Sequence, residues 1–559
     1  MSELLIRFGQ LDPVAKGDIQ TITTSPIKPW NTINSLKEDN IQPPALYATG
    51  EWNYTIADGN MGEFPDNPNG TDWGFWSDEF SDESGLFASP PTLDMAFSVN
   101  HKSVGLTFYF YPNTDDYARN IRVTWYDSSN NVIYTDEYAF TSPVGVLSEN
   151  VADWRRIKVE FLETNIRNRF LKLYALDFGV LRTFTDTEIS SCQVLEEIDP
   201  TVETISINTL NATIRTRDSI FSPITSADFT DMMMKRQPMD LIKDGILFGK
   251  FYLEKWVDPY QSGIEFDLEA GDAVSVLDLY TFDGGLYSNT PVTAVLTAIF
   301  DLAFPTHLVT YELDPEYQSS TLTGYIPICS CGEAFQHVMF ALHAVADTSR
   351  RANVWIYPAD TAVTYEINRL ERYRRGQDEP TEYYSGVRVI SYSYSASTVA
   401  TDLFNDTLTV GRHRIDGYSG PHASYTVTGA TIAVSHVNYV ELSVAVAGKV
   451  NLRGIPYLEN TQVHKISEEV TAGEAESVMD YEGYTLVNPG IALYIAQKEL
   501  DWLKNRIRSE SEIVLDNREV GYIARVETTG IPLQGTIISL DSNLRANKSD
   551  MVVIGNAVD

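Results

Sequence analysis

The sequence predicts a mainly β protein with α+β segments. Three observations carry this. The first 190 residues alternate apolar and polar residues in short Thr-, Val-, Tyr- and Phe-rich runs. Helical spacing appears only later, in three separate places. With 559 residues, the chain is too long for one core, and roughly three to five domains are expected.

In the first region "GLTFYFYP" (105–112) and "NIRVTWYD" (120–127) are strands. "DSSNNVIYTDEYAF" is a hairpin turned at Ser129–Asn131, because Asn tolerates positive φ. "WRRIKVEFLET" and "FLKLYALDFGVL" add two strands. Short strands at near-regular spacing predict a β-sandwich of the jelly-roll kind over 1–190. Residues 51–100 hold ten acids and no Lys or Arg.

Beyond residue 190 "TISINTLNATIRTR" (204–217) shifts its apolar parity at Leu210, as a β-bulge would. "MDLIKDGILFGKFYLEKWVDP" is a hairpin around Asp244-Gly245, a dipeptide suited to a primed turn. "GIEFDLEAGDAVSVLDLY" is a strand entering a short helical turn. "SNTPVTAVLTAIFDLA" predicts a helix with Thr290 as N-cap and Pro291 in its first position, and with Val295, Ile299 and Leu302 on one face. "RANVWIYPAD" and "TEYYSGVRVISYSYSAST" are strands. "NPGIALYIAQKELDWLKNRI" (488–507) predicts a helix capped by Asn488, its apolar side formed by Ile491, Tyr494, Ile495, Leu500 and Leu503. The C-terminus reads as three β segments.

"PICSCGEAFQHVMFALHAVADTSR" (327–350) holds two of three cysteines and two of eight histidines. Ser330 and Glu333 form a capping-box pattern, so a helix is expected from Cys331 to about Ala346. At about 100° per residue, Cys331, Phe335, Val338, Met339, Leu342, Val345 and Ala346 share one side. His337 and His343 lie about 120° apart, which defeats a shared metal. Cys329-Ser-Cys331 lacks the two-residue gap of zinc knuckles and redox dithiols. The thiols are therefore read as structural.

The net charge of −36 repels nucleic acid, and a negative wall would let DNA pass without sticking. "RLERYRRGQDEP" (369–380), with Arg369, Arg372, Arg374 and Arg375, is the most basic cluster; it is read as pairing with an acidic neighbour chain. No apolar run reaches the length of a membrane span, no secretory leader is visible, and three cysteines suit a reducing compartment. No phosphate loop, His-Glu-x-x-His or Gly-x-Ser-x-Gly motif occurs. "DNPNGTD" (66–72) lacks EF-hand spacing. No catalytic residue, metal or cofactor is assigned. One glycan reading has Trp52, Trp73 or Trp76 stacking on sugar faces while Asp72 or Asp78 bonds hydroxyls; the competing reading puts these aromatics in the core.

Residues from about 190 to the end resemble the hub (tail-tip) proteins of bacteriophage tails and related contractile injection systems. The resemblance is carried by "SINTLNATI", "FSPIT", "PMDLIKDGILFGKFYLEKW", "FDLEAGDAVSVLD", "FDGGLYSNTPVTAVLTAIF", "YIPICSCGEAFQHVMFALHAVADTSRRANVWIY" and "VGYIARVET", in that order. It implies a baseplate-hub fold with two tail-tube-like β-barrels, at 191–290 and 386–559, around an α/β segment at 291–385. It also implies a homotrimer that adapts a hexameric tube to a threefold tip and lines the ejection channel. Its partners would be the tail tube or distal tail protein above and a spike, fibre or receptor-binding protein below. A tape-measure protein and passing DNA would occupy the lumen. The expected location is the virion tail tip, after assembly in the bacterial cytoplasm. "YATGEWNYTIADGNMGEFPD" with "TDWGFWSDEFSDESGLF" resembles a galactose-binding-type module found on some hubs of phages of Gram-positive hosts. The alternative function is an adhesin that binds cell-wall carbohydrate through this module.

Overall fold

The computed structural model describes residues 3–11, 13–25, 51, 75–110, 115–216, 236, 238–259, 264–304, 309–358, 364–469, 476–527 and 531–558. They are mainly strands, with a few short helices. The chain divides into two compact units, one made of Arg7–Thr183 and Ala227–Gln237, the other of Met1–Ile6, Phe184–Ser226 and Pro238–Asp559.

The smaller unit holds a sheet ordered Phe75–Trp76, Lys172–Asp177, Thr92–Phe110, Val144–Thr164, Ala118–Tyr126, Val132–Ala139, with Ile19–Ser25 beside Thr92–Phe110. The two longest strands pair with register shifts at Ala96/His101, His101/Ser103 and Ser103/Gly105. Each shift bends the ladder, so one strand can cover different parts of the core. That core is aromatic: Trp76, Trp125, Trp154, Phe108, Phe110 and Phe161 are at most 1% exposed. The expected hairpin is present, with Asn130 at φ 62° and the amides of Ser129 and Asn131 donating to Asp127.

In the larger unit an antiparallel path runs Arg372–Pro380, Ile507–Val514, Lys548–Ala557, Leu533–Asn543, Ile189–Glu197, Thr209–Arg215, Glu265–Gly271, Ile246–Val257, Pro238–Lys243. Ile189–Glu197 is the joint. It pairs with Thr209–Arg215 on one side and with Leu533–Asn543, more than 300 residues away, on the other. Asp244 (φ 52°) and Gly245 (φ 79°) close the hairpin between Lys243 and Ile246, as their dipeptide predicts. The parity shift expected within 204–217 is not in that strand, which starts at Thr209; the irregularity falls on its partner between Ile189 and Ser191.

Helices Val292–Ala303 and Cys331–Leu342 pack in the core of this unit. The capping box is formed: the Glu333 amide donates to Ser330 Oγ (3.0 Å) and the Ser330 amide donates to the Glu333 carboxylate (3.3 Å). Cys331, Phe335, Val338, Met339, Leu342, Val345 and Ala346 are all buried. The helix stops at Leu342, however, not at Ala346. His343 turns into the left-handed region (φ 52°, ψ 51°) and Val345–Asp347 continues as a strand paired with Val354–Tyr357. Replacing Ser330 by alanine is expected to cost about 1 kcal/mol of stability, read as a lower denaturation midpoint with an unchanged m-value.

Two other helix ends also differ from expectation. Thr290 belongs to the strand Gly285–Pro291, paired with Leu322, and Pro291 sits at the N-cap without a side-chain bond. Leu302 is exposed, and Leu296 and Phe300 are buried instead. The late helix spans Ala492–Leu503; Asn488 organises the turn before it by accepting from the Gly490 amide (2.8 Å). Tyr494 is exposed and the buried side holds Glu499.

Residues 401–454 add a small sheet pair with its own core of Val440, Leu442, Val444, Val450 and Leu452.

Candidate functional site

Cross-strand partners share a sheet face, so the ladder of the larger unit defines two surfaces. One holds Met551, Leu540, Val194, Leu210, Ala270 and Leu253, all buried. The other is polar and acidic. Glu512 stands opposite Asp550, Asp550 opposite Asp541, and Asp541 opposite Leu195. Glu510 lies beside them on the same strand face, and Glu197 and Ser539 face each other one step along. The face continues across the joint to Asp267, paired with Thr213, and to Glu269, paired with Asn211.

The bases on this face are engaged locally. Lys548 donates to Glu512 (2.8 Å), Arg508 bonds Glu379 (3.0 Å) and Glu510, and Lys255 donates to Glu269 (2.7 Å). Gln193 Nε2 donates to both oxygens of Asp541 (2.8 and 2.9 Å). Asp550 keeps a raised pKa, first through partial burial and then through Glu512 and Asp541. Glu510, Glu512, Asp541 and Asp550 line a shallow concavity of about 520 Å³. Where its carboxylates cluster, such a wall repels a polyanion.

The Cys/His segment becomes packing. Burial pushes the thiols up, Cys192 and Cys329 to about 12 and Cys331 to about 11, which leaves them protonated and unreactive at neutral pH. Burial lowers the His337 pKa, and its ring meets Tyr484 edge-on. His343 instead reaches Glu499 (Nε2 to Oε1, 3.0 Å), whose other oxygen accepts from Tyr481 OH (2.8 Å). Among the described residues no group of three or more His, Cys, Asp or Glu is placed to hold a metal.

Of the glycan candidates, Trp52, Trp73 and Asp72 lie outside the described residues. Trp76 is 1% exposed and packs on Phe170, so its ring presents no face to a sugar; Asp78, two residues on, is half-buried. The arginine cluster is engaged within the chain at two points. The Arg369 guanidinium lies 3.7 Å from Glu527, and Arg372 Nη1 donates to the Glu527 carbonyl (2.7 Å).

Of the buried polar networks among the described residues, two centre on a single carboxylate that sequence reasoning missed. One is His343–Glu499–Tyr481. The other centres on Asp272, which accepts from the amides of Asn208 (3.0 Å) and Val274 (2.9 Å) and from Thr348 Oγ1 (2.5 Å). Glu499 lies between Ile495, Ala496 and Leu500 on the apolar side of its helix, and a carboxylate at that position was the available signal.

No family model and no curated protein matches the chain. Solved structures do. The tail protein from Neisseria meningitidis MC58 aligns at 10% identity and TM-score 0.40, over 67% of this chain and 94% of that one. The prophage MuSo2 43 kDa tail protein from Shewanella oneidensis aligns at 9% and 0.39, over 67% and 94%. The prophage tail protein gp18 from Listeria monocytogenes EGD-e aligns at 10% and 0.37, over 68% and 92%.

Proposed function

We propose that the chain is the structural, non-enzymatic hub of a phage or phage-like tail tip. Three copies form a ring that adapts a hexameric tube to a threefold tip. The acidic sheet face lines the channel through which DNA leaves. Above the ring sits the tail tube or distal tail protein, below it a spike, fibre or receptor-binding protein, and a tape-measure protein occupies the lumen before ejection.

The observation that carries this reading is the acidic face itself, continuous across strands from two distant parts of the sequence. Tube-like modules at 191–290 and 386–559 would each contribute to it through the joint at Ile189–Glu197. A wall that repels the phosphate backbone gives a passing duplex no place to bind. The collinear segments of the sequence resemblance support the same assignment. The adhesin reading draws no support from Trp76, which is 1% exposed.

Charge reversal of the face tests the proposal. The quadruple variant Glu510→Lys, Glu512→Lys, Asp541→Lys, Asp550→Lys is expected to bind duplex DNA at low salt and to release it as salt rises; the unmodified chain should not bind. Particles assembled with the variant should eject their genome at least tenfold more slowly. A ring in which these carboxylates face outward, away from the channel, would overturn the assignment. So would unchanged ejection by the variant.

A further inference from the structure

The strand Gly448–Ser467 changes its surroundings halfway along. Its first part is flanked on both sides, by Thr401–Leu408 and by His422–Thr428, the latter reaching Pro456. Beyond that point only Gly386–Ala396 pairs with it, from Ala396↔Tyr457 to Gly386↔Ser467, without a register shift. Among the described residues no strand covers the opposite edge over 458–467. Ten extended residues give an open edge of about 33 Å.

Natural edges are guarded by proline, bulges, shortness or charged side chains, lysine above all; this edge carries one charge of each sign, Glu459 and Lys465, which repel only a strand that sets like charges opposite them. The segment "LENTQVHKIS" has no proline, glycine or bulge. It leaves Leu458 53% and Val463 61% exposed. An edge this long and regular is a template for another strand.

The sequence of the edge specifies its partner. Laid antiparallel to itself and centred on Gln462, it puts Glu459 opposite Lys465 and Leu458 opposite Ile466. It also puts Thr461 opposite Val463 and Asn460 opposite His464. Each ion pair occurs twice, and partners fall on the same face. A slip of the centre to Val463 moves Glu459 onto Ser467 and Lys465 onto Thr461, which loses both ion pairs. Glu459 and Lys465 already lie on an exposed face, held by Tyr394 OH and Glu476 respectively.

We propose that the edge Leu458–Ser467 pairs with the same edge of a second copy of this chain, antiparallel, about a twofold axis at Gln462. The contact is isologous: alone it gives two copies, and between threefold rings it gives six with dihedral symmetry, whose two ends are alike, so it belongs to the free protein and not to a ring held between unlike tail partners.

The test uses the full chain. Gln462→Cys is expected to give a covalent dimer on mild oxidation. Glu459→Lys or Lys465→Glu alone should weaken association about tenfold or more, because each sets like charges opposite one another twice. The double variant Glu459→Lys, Lys465→Glu should restore it. A Gln462→Cys chain that folds normally but does not cross-link overturns the proposal, as does a double variant no better than the singles. The mass of the unmodified chain separates this inference from the hub reading. Three copies without the cross-link would overturn the edge pairing and leave the hub standing. Two copies with it would support the edge pairing and overturn the ring. Six with it would support the edge pairing, between two threefold rings of the free protein.

Discussion

Replacing Asp272 by alanine is expected to cost about 3–5 kcal/mol. The carboxylate is 2% exposed. It caps the helix Ala273–Leu277 through the amides of Val274 (2.9 Å) and Ser275 (3.4 Å). It also holds the Asn208 amide and the Thr348 hydroxyl, so three segments distant in sequence meet on one group. Truncation leaves those donors buried without an acceptor. A thermal or guanidinium midpoint measures the loss, and a drop below 1 kcal/mol would refute the account.

The same group sets a pH dependence. Burial pushes the carboxyls of Asp272 and Asp347 up to about 6 and raises Glu196 even beside Arg350. A carboxyl whose folded pKa is raised binds its proton more tightly in the folded state. Its stabilising contribution is therefore complete below the unfolded value near 4 and is lost as pH rises through about 6. The unit containing these groups should be more stable at pH 5 than at pH 8, and Asp272→Asn should flatten part of that difference. In the smaller unit Asp18 acts in the opposite sense. Bonds from Ser98, His101 and the Val99 amide outweigh its desolvation and hold its pKa far below the usual range. That unit should weaken as pH falls below about 4.

Glu499→Ala is expected to cost about 3 kcal/mol. Glu499 is fully buried, with its pKa raised by desolvation, and it serves as acceptor for both His343 and Tyr481. Its loss strands two buried polar groups at once. A double-mutant cycle with His343→Ala should return a coupling of about 1–3 kcal/mol. Additive single effects would show that the contact contributes little and that burial alone explains the cost.

Much of the local structure was legible in the sequence. Asp244-Gly245 announced its primed turn, Ser330 and Glu333 their capping box, and the spacing of Cys331, Phe335, Met339 and Leu342 a buried helix face. Each signal acts within a few residues, where backbone preference and side-chain reach decide the outcome. The same spacing overran the helix to Ala346, because Ala344, Val345 and Ala346 satisfy an apolar face in either helix or strand. His343 ends the helix by entering the left-handed region, where its ring reaches a carboxylate 156 residues away.

The acidic face was not legible, although its residues are ordinary strand acids. Period-two alternation tells which side of a strand is polar but not which strand lies beside it. Only the tertiary pairing of Ile189–Glu197 with Leu533–Asn543 brings Asp541, Asp550 and Glu512 into one surface with Asp267 and Glu269. The sequence by itself determined turns, caps, strand faces and an overall negative charge, because those are set by neighbours along the chain. The tertiary structure decided where that charge gathers and which edge stays open, because strand order follows from which apolar faces bury one another across hundreds of residues.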